Sequence, residues 1–103
     1  MPVYEAIIDV GPRPGMPGVT DDSRKAVGDE IAENLAAEAG DEAITDLRIV
    51  VSPVGAIVLF TKSVPAGLDP DQELRAFTRQ ALARGRFADW QMLTSSLTEL
   101  HAE

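Results

Sequence analysis

The chain has 103 residues, a length typical of one domain, and its 17 acidic against 9 basic side chains give a formal net charge of -8. This charge repels nucleic-acid phosphates and anionic membrane surfaces, and the absence of cysteine excludes disulfides and thiolate metal sites. No stretch resembles a signal peptide or a membrane span, so we expect one cytoplasmic domain over residues 1–103, with no nucleic-acid or membrane partner.

The chain opens with an alternating segment that predicts a strand over residues 2–10. The drier face of this strand is formed by Tyr4, Ala6, Ile8 and Val10. The opposite face carries Val3, Glu5, Ile7 and Asp9. A loop over residues 11–18 is expected next, because this stretch is too rich in Gly and Pro to sustain a helix or a strand ladder.

A helix is expected to follow this loop. Residues 20–23, Thr-Asp-Asp-Ser, supply side-chain oxygens for a helix N-terminus, and their negative charge suits the positive end of the helix dipole. An apolar stripe with a four-residue spacing is formed by Val27, Ile31 and Leu35. Gly40 is the residue expected to end the helix.

Residues 46–64 predict two strands joined by a tight turn. The first strand has one dry face, formed by Leu47, Ile49 and Val51. The turn falls at residues 52–55, where Pro presets a turn dihedral and Gly accepts a positive φ. The second strand covers residues 56–61 and is apolar at every position before Thr61. It is therefore predicted to lie in the centre of a sheet.

The chain is predicted to close with a helix and a strand. Asp69 can cap the helix and Pro70 fits its first position. The inward face of the helix, which is expected to end near Gly85, is formed by Leu74, Phe77, Ala81 and Leu82. Residues 91–97 are expected to form the last strand, while the spacing of Ser96 and Glu99 leaves a short terminal helix open.

The element order βαββαβ predicts an α+β domain of the ferredoxin-like type, a two-layer sandwich. Right-handed crossovers would place both helices on one face of a four-stranded sheet. The other face would then carry Arg48 and Val50 with alternate residues of the neighbouring strands, a mixture of large apolar side chains and a few charges. We therefore expect a homo-oligomer, a dimer or a trimer, built through this sheet face.

Few residues are candidates for chemistry. His101 is the sole histidine and lies in the C-terminal tail, so no metal site or cofactor is expected. Pro2 would become the N-terminus if Met1 is removed, and its nitrogen would then be a secondary amine. Burial near guanidinium groups would lower the pKa of this amine and leave a neutral base near neutral pH.

The N-terminal Met-Pro-Val-Tyr (residues 1–4) and the strand Asp-Leu-Arg-Ile-Val-Val-Ser (residues 46–52) resemble the tautomerase superfamily, which includes oxalocrotonate tautomerase and macrophage migration inhibitory factor. Members start Met-Pro and use the freed proline as a general base. The resemblance implies that Pro2 moves a proton between carbons of a small keto or enol acid, that Arg48 holds the substrate carboxylate and that Arg13 stabilises enolate charge. It implies a cofactor-independent isomerase or tautomerase acting on a small carboxylate-bearing metabolite.

Simpler interpretations of the same residues stay open. Pro2 suits a strand start, Arg48 could pair with Glu5 or Asp9 across the sheet, and Arg13 could be a solvated loop residue. The element order and the aromatic segment 85–93 also resemble the dimeric α+β barrel proteins, muconolactone isomerase among them, and this second resemblance implies a fold without a site. The rival function is a non-catalytic binding or assembly module, such as an accessory or regulatory subunit, that oligomerises through its sheet face.

Overall fold

Strands and helices follow one another in the predicted order βαββαβ. The computed structural model describes residues 3–40, 44–83 and 85–100, with residues 85 and 86 described by their backbone alone. The elements are β1 (Val3–Pro12), α1 (Arg24–Ala39), β2 (Thr45–Ser52), β3 (Gly55–Ser63), α2 (Pro70–Leu82), a 3-10 helix (Gly85–Asp89) and β4 (Trp90–Leu100). The 3-10 helix is an addition to the predicted elements, in the segment that leads from α2 to the last strand.

The four strands form one antiparallel sheet in the order β2-β3-β1-β4. The second strand of the hairpin, β3, lies between β2 and β1, which confirms its predicted central place. Each helix therefore crosses over between strands that are not neighbours in the sheet. This order and the two helices confirm the ferredoxin-like α+β fold.

One face of the sheet is dry and supports both helices. Its central side chains, all between 0 and 4% exposed, are Ala6, Ile8, Val10, Ala56, Val58 and Phe60. The helices bury the stripes that their spacing predicted, which are Val27, Ile31 and Leu35 from α1 and Leu74, Ala81 and Leu82 from α2. Phe77, also predicted to point inward, is half-buried and lies with its ring centroid 5.6 Å from that of Phe60. Burial of these apolar side chains is the main stabilising contribution of the fold.

The two helices begin in different ways. The side chain of Asp69 accepts a hydrogen bond from the Asp71 N–H at 3.0 Å, and Pro70 occupies the first position of α2, as predicted. α1 begins after Ser23, whose side chain makes no capping hydrogen bond to the helix. The hydroxyls of Thr20 and Ser23 instead bond each other at 3.0 Å and close a turn ahead of the helix.

The two outer boundaries of the β1–β4 ladder differ from the sequence-based expectation. β1 continues to Pro12, past the predicted loop start, and β4 continues to Leu100, so residues 96–100 form strand and not helix. The reason is mutual pairing, because Pro12 lies opposite Trp90 and Val3 lies opposite Leu100. The pairing register between β1 and β4 shifts between Asp9 and Val10, and the two strands stay paired on both sides of this irregularity.

Gly55 marks a close approach between the β2–β3 hairpin and β1. Its φ of 151° is unfavourable for a residue with a side chain. A Cβ atom at this position would collide with the carbonyl oxygen of Val10 and would lie 2.9 Å from the Cα atom of Gly11. The turn therefore requires glycine both for its backbone angle and for the space beside β1.

We expect Gly55→Ala to destabilise the fold by more than Gly15→Ala. Both glycines have positive φ, 151° and 89°, so either alanine would strain the backbone by about 1–3 kcal/mol. At residue 15 a Cβ atom meets nothing within 4 Å, whereas at residue 55 it meets main-chain atoms that cannot move independently. Urea unfolding followed by circular dichroism measures both losses, and equal values would contradict the close approach.

Candidate functional site

The face of the sheet opposite the helices is left uncovered by the part of the chain that the structure describes. We call this surface the open face, and its side chains are Val3, Glu5, Ile7, Asp9, Arg48, Val50, Ile57, Leu59, Thr61, Thr94, Ser96, Thr98 and Leu100. Ile7, Ile57 and Val50 are 38%, 40% and 57% exposed. Three large aliphatic side chains thus remain in contact with solvent on neighbouring strands.

Strand register arranges the open face in rows that cross the sheet. The middle row runs Arg48, Leu59, Ile7 and Ser96. The row on one side runs Val50, Ile57, Asp9 and Thr94. The row on the other side runs Thr61, Glu5 and Thr98. Within these three rows the aliphatic side chains form one contiguous group on β2, β3 and β1, and the side chains of β4 carry hydroxyls.

Charged side chains border this aliphatic group. Thr94 Oγ1 donates a hydrogen bond of 2.7 Å to Asp9 Oδ2, which holds that carboxylate towards β4. Glu5 and Arg48 line a cavity of about 210 Å³ on the open face, together with Asp46. Within the described residues Arg48 makes no ion pair with Glu5 or Asp9, so the cross-sheet pairing that the sequence left open is not formed.

The predicted site residues are not brought together within one copy of the chain. Pro2 lies outside the described residues. Arg48 lies on the open face, level with Ile7 in the middle of β1. Arg13 follows the last residue of β1, about 20 Å further along the strand direction than Ile7. Arg13 and Arg48 therefore cannot contact the same small substrate in one copy of the chain.

Arg13 instead borders a second cavity, at the end of the sheet near α2. Its backbone N–H donates to the carbonyl of Asp89 at 3.1 Å, which fixes the chain against the 3-10 helix. Arg79 of α2 and Trp90 line the same cavity. Arg79 was not among the predicted site residues, because an arginine on the exposed face of an amphipathic helix carries no local signal of a site.

The part of the chain that the structure describes holds neither a metal-binding cluster nor a membrane-spanning helix. Among residues 3–40, 44–83 and 85–100, no three or more His, Asp or Glu side chains cluster in a way that could hold a metal ion. In the same ranges no helix is both long and apolar enough to cross a membrane.

Comparison with known proteins gives a likeness of fold alone. No known protein-family model and no curated protein matches the sequence. A crystal structure of a chlorite dismutase-like protein, TA0507, matches with a TM-score of 0.53 and 9% sequence identity, over 96% of this chain and 44% of that one. This chain thus spans less than half the length of that protein. The match supports the ferredoxin-like fold and does not support membership of the tautomerase superfamily.

We expect Thr94→Val to destabilise the protein by about 1 kcal/mol, because it removes the hydrogen bond to the Asp9 carboxylate. Thr98→Val is the matched control: Thr98 lies opposite Glu5 on the same two strands and makes no side-chain hydrogen bond within the described residues. This control should change the free energy of unfolding by less than about 0.5 kcal/mol. Chemical denaturation measures both values, and a control loss as large as that of Thr94→Val would contradict the assigned bond.

Proposed function

We propose that the protein is an assembly module that pairs with a second copy of itself through the open face. The observation that carries this proposal is the contiguous aliphatic group of Ile7, Ile57 and Val50, exposed in the middle of a sheet whose other face packs against both helices. Contiguous apolar patches on a protein surface are characteristic of contact sites. An apolar centre with a polar rim is also the common anatomy of a protein interface.

The row pattern favours a two-fold axis parallel to the strands. This axis would set β3 of one copy over β1 of the other, so that Leu59 would pack on Ile7 of the second copy and the reverse contact would form as well. Arg48 would face the hydroxyl side chains of the second β4. The charged groups of the two copies would stay apart.

A two-fold axis that crosses the strands along the middle row is less favourable. It would place Arg48 over Arg48 of the second copy. It would also place the row of Glu5 over the row of Asp9, so that carboxylates on the two β1 strands would oppose each other. Like charges facing each other across an interface cost several kcal/mol. The charge pattern of the open face thus selects one pairing geometry out of two.

The expected size of the interface indicates a reversible dimer. Four strands spaced about 4.8 Å apart, each with about nine residues rising about 3.3 Å per residue, give an area of roughly 550 Å² for each copy. Two copies would bury about 1,100 Å², near the lower limit for a specific protein interface. We therefore expect association that depends on concentration. As an assembly module of this kind, the protein would act as an accessory or regulatory subunit.

A second proposal is a cofactor-independent isomerase or tautomerase acting on a small carboxylate-bearing metabolite, with Pro2 as the general base and Arg48 holding the carboxylate. It is favoured by the place of Arg48 beside a cavity of about 210 Å³ on the face that also carries Val3, the residue after Pro2. The carboxylates of Glu5 and Asp46 line the same cavity and oppose binding of an anion. For this reason the assembly function is better supported than the catalytic one.

We expect Ile57→Asp to weaken self-association at least tenfold, about 1.4 kcal/mol, because it introduces a charge into the apolar centre of the open face. Leu68→Asp is the matched control, since Leu68 is 48% exposed and lies in the loop before α2, away from the open face. Sedimentation velocity over a range of concentrations measures the association of both variants and of the original protein. An original protein that stays monomeric at the highest concentration, or equal association of the two variants, would refute the assembly proposal.

The catalytic proposal makes a separate prediction for turnover of a simple enol acid. We expect Pro2→Ala to lower kcat at least about 100-fold, as the loss of a general base does, and Arg48→Gln to raise KM. Arg13→Gln should leave both constants unchanged, because Arg13 lies at the far end of β1. Retention of Met1 in the intact mass, or equal rates for Pro2→Ala and the original protein, would eliminate this proposal and leave the assembly proposal intact.

A further inference from the structure

A second cavity lies at the end of the sheet on the helix side, away from the open face. Its volume is about 320 Å³, which falls in the range of small-molecule sites. The C-terminal turn of α2, the 3-10 helix, the first residues of β4 and Arg13 enclose it. The side chains that matter for its chemistry are Arg13, Arg79, Leu82, Phe87, Trp90 and Gln91.

This cavity is positively charged in a strongly acidic protein. Arg13 and Arg79 line it, and no carboxylate side chain does so among the described residues. Two other arginines of the described chain are paired, Arg24 with Asp21 at 3.1 Å and Arg75 with Asp71 at 3.7 Å. The guanidinium groups of Arg13 and Arg79 make no ion pair within the described residues. Two cations at one cavity repel each other, and a bound anion would relieve that repulsion.

An aromatic pair forms the apolar wall of the cavity. The rings of Phe87 and Trp90 meet edge to face, with their centroids 5.0 Å apart. Phe87 is buried, so its ring is fixed by the core, and Trp90 is half-buried beside it. A rigid apolar wall next to charged donors suits a ligand that has an apolar body and an anionic end.

The position of α2 favours a singly charged ligand. The cavity lies at the C-terminal end of this helix, where the helix dipole is negative. Arg79, in the last turn, offsets part of this negative potential. A phosphate dianion would experience more of the remaining repulsion than a carboxylate would.

We propose that this cavity binds a small aromatic carboxylate. Arg13 and Arg79 hold the carboxylate from two sides, and the body of the ligand packs against Trp90 and Leu82. Arg13 comes from the segment after β1 and Arg79 from α2, so the site exists only in the folded protein. The site lies outside the open face and goes beyond the assembly function proposed above.

The sole tryptophan of the chain, Trp90, provides a direct signal for the test. Fluorescence of the full chain is titrated with benzoate, with benzamide as the uncharged analogue and with inorganic phosphate as an anion without an apolar body. We expect a saturable change with benzoate and at least tenfold weaker binding of the other two probes. No saturable change with benzoate, or equal binding of benzamide or phosphate, would overturn the proposal.

Variants then locate the site. Arg79→Gln and Arg13→Gln should each weaken benzoate binding at least tenfold, while Arg75→Gln, one turn earlier on the same helix and paired with Asp71, should not change it. Circular dichroism verifies that each variant is folded. The change in the NMR chemical shift of the Trp90 indole N–H on addition of benzoate gives a second measure of binding to the original protein. Equal affinity of Arg79→Gln and Arg75→Gln would overturn the proposal. Ile57→Asp should bind benzoate normally, so failure of the assembly function and failure of this site are distinguishable.

Discussion

The placement of both helices on one side of a single sheet is the constraint on which the rest of this structure depends. Neighbouring residues of one strand therefore have opposite environments. Ile8 is fully buried while Ile7 is 38% exposed, and Val58 is fully buried while Ile57 is 40% exposed. These side chains have nearly identical hydrophobicity, and their exposure differs because successive residues of a strand point to opposite faces of the sheet. The burial of one set builds the core, and the exposure of the other leaves an apolar surface without a cover.

The strand β1 connects the two surfaces that we assign to function. Its open-face residues lie at the centre of the proposed self-association surface, and its far end leads directly to Arg13 and the charged cavity. Ile7, at the centre of that surface, lies about 20 Å along the strand direction from Arg13, so the two regions are separate. Pairing through the open face would leave the cavity on the helix side accessible. Assembly and ligand binding could thus operate independently in one small protein.

The likeness to a much longer chlorite dismutase-like protein at 9% identity is consistent with how widely the ferredoxin-like fold is used. A shared fold places strands and helices but does not place side chains with a common chemistry. Functional inference for this protein therefore rests on its own surfaces: which aliphatic side chains stay exposed, and which cations lack partners. Both features depend on individual side chains, which the backbone alignment ignores.

The sequence by itself determined the element order, the core and the start of α2, because these depend on local periodicity and on local capping by Asp69. It also identified the face of β2 that carries Arg48. Only the tertiary structure decided that β4 extends to Leu100, since this strand is held by its partner β1 and not by its own Thr- and Ser-rich composition. Only the tertiary structure separated Arg13 from Arg48 and brought it to the cavity of Arg79. Whole helices and strands pack together to decide which residues far apart in the chain become neighbours, and no local sequence pattern encodes this.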